Sequence, residues 1–95
     1  MRVAWTRPAL RDVEAIGGFI ARDNPTAASK VVMRIFDQTE LIVEHPHIGR
    51  AGRIKGTREL VVTNTPFIVT YRLKEDRAEV LAVFHGARRW PDRFD

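Results

Sequence analysis

Ninety-five residues, 44% apolar and 29% charged, describe one folded domain with a single modest core, and exclude a disordered tail. With no cysteine, neither a disulfide framework nor a thiolate metal site is available. No apolar run approaches the roughly 18 residues that a spanning helix needs, and the first twelve residues lack the apolar core of a signal peptide, so a single cytoplasmic domain over residues 1–95 without a membrane partner is expected.

Residues 2–5 read as a short strand with Val3 and Trp5 on one face. Thr6 suits a helix N-cap, and Pro8 suits the first turn, where its missing N–H would be unpaired anyway. Leu10, Val13, Ile16 and Ile20 then recur at helical spacing, with Arg11, Asp12 and Glu14 off that stripe. Asn24-Pro25 closes this helix and opens the next, asparagine as cap and proline as first residue. The second helix carries Ala28, Val31, Ile35, Gln38 and Ile42 on one stripe, broadened by Val32, Phe36 and Leu41. His45-Pro46 stops it. Two helices joined by so short a link form an antiparallel hairpin.

The C-terminal half reads as strand. Residues 59–62 are short and β-branched, and residues 63–66 turn the chain. Phe67, Val69, Tyr71 and Leu73 alternate with Ile68, Thr70 and Arg72, the period of a half-buried strand. A second turn over residues 74–77 leads to residues 79–85, where Val80, Ala82 and Phe84 alternate with Leu81 and Val83. The expected fold is α+β: an N-terminal strand, a two-helix antiparallel hairpin, then a three-stranded antiparallel meander, with the helices on one face of a four-stranded sheet. The opposite face is either simply wet or used, with Thr70, Arg72, Arg58 and His85 as its candidate polar groups.

Charge is uneven along the chain. Residues 1–44 hold six basic and six acidic side chains, whereas residues 45–95 hold ten and six, which gives the whole its +4. A basic half suits a nucleic-acid or acidic-protein partner, or a solvated arginine-rich face. The cations fall in two groups, Arg50, Arg53, Lys55 and Arg58 in one, Arg88 and Arg89 in the other. Guanidinium groups suit bidentate phosphate or carboxylate contacts. Trp90 beside the second group can stack on a base, pack on a partner or cover the sheet edge.

Catalytic motifs are sparse. His45 and His47 flank Pro46 at a helix end and lack the acidic partners of a metal set, so loop and cap roles are expected and no metal or cofactor. His85 ends a strand before Gly86, where it can serve as a general acid or base, or bond a backbone group. No nucleophile elbow is present. The glycines of GRAGRIKG do not precede a helix, so a phosphate-binding P-loop fails its context test. Glu59 follows Arg58 on a strand, so their side chains take opposite faces.

Several strings in order, WTRPALRDVEAI, Asn24-Pro25 followed by Ala27-Ala28, HPHIGRAG, GTRELVV, PFIVTY and HGARRW, resemble the RelE/ParE family of toxins, over nearly the whole chain. The Pro66-Phe67 pair and the lack of a catalytic tyrosine after the last strand are similar to the ParE branch. That resemblance implies the toxin of a bacterial type II toxin–antitoxin module of the plasmid-stabilising kind. Such a toxin is neutralised in a hetero-oligomer with a small antitoxin, meets operator DNA only through that antitoxin, and inhibits growth by poisoning DNA gyrase rather than as an enzyme. Arg53, Lys55, Arg58, Arg88, Arg89 and Trp90 are the target-binding candidates, and Phe19, Val32 and Phe36 the antitoxin-binding ones. The RelE branch implies the alternative, a ribosome-dependent, metal-independent mRNA endoribonuclease, for which Arg58, His85 and Arg88 would supply the base, acid and phosphate contacts. A non-toxic module acting only through antitoxin binding and operon co-repression is the third reading.

Overall fold

A computed structural model of the chain describes residues 1–87. Strand β1 (Arg2–Trp5) leads into helices α1 (Arg7–Ala21) and α2 (Pro25–Glu44), followed by β2 (Arg50–Ala51), β3 (Arg58–Val61), β4 (Phe67–Leu73) and β5 (Arg77–His85). The sheet order is β1-β5-β4-β3-β2. β1 runs parallel to β5, and the other neighbours are antiparallel. The fold is α+β, as the sequence pattern implies. The sheet has five strands rather than four, because the two residues of β2 pair with the start of β3.

The helices start where their capping residues place them. Thr6 Oγ1 accepts the Ala9 N–H at 3.3 Å, and Asn24 Oδ1 accepts the Ala27 N–H at 3.0 Å, each satisfying a donor that the first helical turn leaves orphaned. Thr6 also donates its hydroxyl to Val80 O at 2.7 Å. One side chain thus caps α1 and fastens it to the middle of β5.

The core lies between the helix pair and one face of the sheet, around Val13, Ile35, Ile42, Val69, Tyr71 and Val80. The expected α1 stripe holds at Val13, Ile16 and Ile20 but opens on Ala9 rather than Leu10. Ala9 is fully buried and Leu10 is 44% exposed, because the Thr6 tether draws the first turn close to β5, where only a small side chain fits. On α2, Gln38 is not an apolar contact. Its amide accepts the Thr63 N–H at 2.8 Å and faces Thr63 O at 3.5 Å, tying α2 to the turn after β3. Thr39 is buried instead, with its hydroxyl returned to Ile35 O at 2.6 Å. Leu41 is exposed.

Strand alternation also breaks once. Thr70 pairs with Ala82 but Tyr71 pairs with Val80, so Leu81 is an extra residue on β5. Such a bulge re-aims everything beyond it. Val80 and Val83 both face the core, while Ala82 and Phe84 turn to the opposite face, away from the Val80 with which simple alternation would group them.

Candidate functional site

Cross-strand partners share a face of a sheet, and this assigns the polar candidates. Thr70 and Arg72 alternate with the core residues Val69 and Tyr71 and lie on the face away from the helices. Arg58 pairs with Tyr71, and His85 with Phe67, so both belong to the helix-side face instead. Along β4 their partners are four residues apart, about 13 Å of strand at about 3.3 Å per residue. Arg58 and His85 also sit on opposite flanks of β4. They do not converge on one point.

Each is also engaged locally. Arg58 Nη1 donates to Gly49 O at 2.7 Å and lies 3.4 Å from His47 O. His85 Nδ1 accepts the Ala87 N–H at 3.0 Å, and its ring meets Phe67 edge-on at 5.7 Å. His45 caps the end of α2, its backbone N–H bonded to Leu41 O, and His47 is exposed. Among the described residues no group of acidic and histidine side chains could hold a metal ion. No described helix is long and apolar enough to cross a membrane.

Arg58 belongs to a clamp centred on Tyr71. The fully buried phenol donates to Pro46 O at 2.8 Å and accepts the Gly49 N–H at 2.9 Å. A β-carbon on Gly49 would meet the Tyr71 ring at 2.8 Å, so only glycine lets the backbone come this close. Burial pushes the phenol above its ordinary pKa, and the Gly49 N–H and the Arg58 charge pull it partly back. Tyr71, Arg58 and Gly49 together fix the passage from α2 into β2.

On the other face Glu59 organises the basic loop. It is 3% exposed. Its Oε1 takes Arg50 Nη2 at 3.1 Å and its Oε2 takes the Arg53 N–H at 3.2 Å. Beyond β2 the chain turns back through Gly52 N–H to Thr57 O at 2.8 Å and Thr57 N–H to Ile54 O at 3.1 Å, with Gly56 at φ +84°. Arg53 and Lys55 are exposed on this hairpin. Arg88, Arg89 and Trp90 lie outside the described residues.

An apolar groove of about 650 Å³ lies between α1, α2 and the far ends of β4 and β5. Ile16, Phe19, Ile20 and Val31 form its helical wall, and Phe67 and Val83 its sheet wall. It exists because β1 stops at Trp5, opposite Val80. Beyond that point α1 takes over the flank of β5, and Asp12 Oδ2 accepts the Val83 N–H at 2.9 Å. Phe19 is 71% exposed there. The two residues grouped with it on sequence are used differently. Phe36 packs on Trp5, ring centroids 4.8 Å apart. Val32 packs against the core, and a β-carbon on Gly17 of α1 would come within 3.0 Å of it.

Residues 3–90 match the family model described as the ParE toxin of the type II toxin–antitoxin system parDE. The chain belongs to the ParE toxin family. Protein Y4kP of Sinorhizobium fredii is 46% identical over 90 residues, spanning 95% of this chain and 93% of its own. Toxin RelE2 of Caulobacter vibrioides is 31% identical over 87 residues, spanning 92% and 97%. A solved structure of the chromosomal ParDE TA system from P. aeruginosa superimposes with a TM-score of 0.80 at 28% identity, covering 90% of this chain and 95% of that one.

For a ParE family member, three informative residues escape a reading by motif. Asp12 looks like a solvent-facing helical carboxylate, Glu59 like half of a surface charge pair, and Tyr71 like core. The one signal of Glu59's burial is its place between Arg58 and Leu60 on a strand whose partner begins with Arg50. Tyr71 carries a weaker one, a phenol in a largely apolar strand, which must find a polar partner when buried.

Proposed function

We propose that the chain is a toxin that inhibits DNA gyrase in the cytoplasm, and that a cognate antitoxin neutralises it by laying an amphipathic segment along the groove beside α1. The observation that carries the antitoxin half is the groove itself. A half-covered sheet end, a helical wall of Ile16, Ile20 and Val31, and a projecting Phe19 are the surface into which an apolar helical or extended segment fits. ParE family membership supports the rest of the module.

Gyrase is favoured over RNA as the target by the placement of Arg58 and His85. Hydrolysis of a phosphodiester without metal needs an acid, a base and a phosphate-binding cation around one phosphorus. Arg58 is committed to backbone carbonyls, and His85 lies on the other flank of β4 with Nδ1 occupied. Among the described residues Arg53 and Lys55, both exposed, are the target-contact candidates.

The test is a supercoiling assay with purified toxin and gyrase, run beside a translation reaction in which mRNA integrity is followed. Loss of supercoiling with intact mRNA supports the proposal. Ribosome-dependent mRNA cleavage with gyrase unaffected refutes it in favour of the endoribonuclease reading. For the groove, Phe19→Glu should weaken antitoxin binding by about 2 kcal/mol, the scale of an interface hot spot. Because Phe19 is largely exposed, the stability change should stay within about 0.5 kcal/mol. Unchanged antitoxin affinity would place the interface elsewhere.

A further inference from the structure

Four cations lie between Arg50 and Arg58, and Arg50 and Arg58 point their guanidinium groups to opposite sides of the sheet. Arg58 holds Gly49 O on the helix side, and Arg50 meets Glu59 on the opposite side. Arg53 and Lys55 sit on the hairpin that joins β2 to β3. That hairpin is weakly anchored on its outer side, since the edge strand β2 contributes only the pairs Arg50 with Glu59 and Ala51 with Arg58. The Gly52–Thr57 and Thr57–Ile54 bonds close the loop on itself but do not tie it to the sheet.

We propose that Glu59 is the positioning residue of this hairpin, holding Arg53 and Lys55 as one preformed cationic surface for the target. The proposal rests on the target reading above. The geometry is divided between the two carboxylate oxygens. Oε1 reaches across the strand pair to Arg50, and Oε2 reaches past the end of β2 to the Arg53 backbone N–H. The second bond fixes the backbone of the very residue that presents the guanidinium. A carboxylate with a side chain only 2% exposed loses its hydration, and is tolerated because both oxygens are bonded and a cation compensates it. A merely solubilising acid would stay at the surface. The hairpin is built for this acceptor: a β-carbon at Gly52 would collide with the Thr57 side chain and backbone, and Gly56 supplies the positive φ that closes the turn. A loop ordered before binding loses less entropy on contact, so its cations act together rather than singly.

The test compares Glu59→Ala, Glu59→Gln and Glu59→Asp with the parent in full-length toxin, using amide exchange, backbone relaxation, gyrase supercoiling on plasmid DNA, and growth on induction. In Glu59→Ala the Arg53 amide should exchange about tenfold faster while the amides of α1, α2 and β4 keep their protection. Order parameters over residues 52–57 should fall below about 0.6, and inhibition should weaken about tenfold as preorganisation is lost. Glu59→Gln keeps an acceptor for the Arg53 N–H and should recover most of the inhibition. Glu59→Asp, whose carboxylate is withdrawn by one methylene, carries the test where the alanine variant fails to fold, and should loosen the hairpin in the same way. A hairpin as ordered as the parent's, or a loosened hairpin with undiminished growth inhibition, overturns the proposal. A parent toxin that stops growth without touching gyrase refutes the target reading alone, and growth inhibition then still judges Glu59.

Discussion

Replacing Tyr71 by phenylalanine removes one oxygen and keeps the ring that packs between β4 and the end of α2. That oxygen makes two bonds, accepting the Gly49 N–H at 2.9 Å and donating to Pro46 O at 2.8 Å. The losses are unequal. Gly49 is buried, so its N–H has no water to turn to, and an orphaned buried donor costs about 1–3 kcal/mol. Pro46 is only part-buried, and its carbonyl can rehydrate. The expected destabilisation is therefore about 2 kcal/mol, most of it from one backbone N–H. For a domain of this size that lowers the melting temperature by roughly 8–16 °C.

A pH series separates this cause from loosened packing. Burial raises the folded-state pKa of Tyr71 above its ordinary 10.0, so the folded chain holds the phenolic proton more tightly than the unfolded chain. The stability that this linkage contributes is complete below the unfolded value and is lost as pH rises through the folded one. Parent protein should lose stability above about pH 10, and Tyr71→Phe should lack that component. Thermal and urea unfolding at neutral and alkaline pH measure both. A variant melting within about 2 °C of the parent would refute the clamp.

Arg58→Ala should cost about 1–2 kcal/mol by freeing the Gly49 and His47 carbonyls; circular dichroism on heating checks it. Any loss of growth inhibition in that variant should follow the loss of folded protein, and abolished activity at unchanged stability would make Arg58 a contact residue instead. At the other end of the sheet, hydrogen bonds from Arg72 and then Arg77 hold the Glu79 carboxyl below its ordinary 4.5, and Arg77 does the same for Asp76 below 3.8. These depressed values contribute stability above the unfolded pKa that is lost as pH falls through the folded one. Urea midpoints measured through that acid range should therefore fall less steeply for Glu79→Gln than for the parent, and parallel curves would dismiss the Arg72–Glu79 pair as a stabiliser.

The elements were legible because their signals are local. Thr6 and Asn24-Pro25 punctuate the helices, and Phe67, Val69 and Tyr71 recur at strand spacing on the core face, although Ile68 and Thr70 are buried on the other face as well. The site was less so, because it depends on register and on chain ends meeting far away in sequence. One bulged residue, Leu81, decides that Ala82 and Phe84 leave the core face, and no composition rule marks it. The groove arises from β1 ending three residues short of Val83, a fact about pairing between strands more than seventy residues apart. Glu59 and Tyr71 were hidden for a related reason. Their partners are mostly backbone atoms of a loop, and backbone atoms carry no sequence signature. Phe36, expected among the antitoxin contacts, packs on Trp5, whose ring a helical stripe alone does not reveal.

The parallel pairing of β1 with β5 has a consequence in time. β5 lies between β1 and β4, yet it is the last described element to be synthesised. Until it emerges, β1 has no neighbour, Thr6 has no Val80 to grip, and Asp12 has no Val83 to cap. The two helices can form their hairpin early, but the floor on which they rest is laid last. Contacts of such long sequence separation slow folding and leave apolar surface waiting. A nascent chain of this kind passes through synthesis as an unclosed helical hairpin, and its sheet is complete only once β5 has emerged and taken its place between β1 and β4.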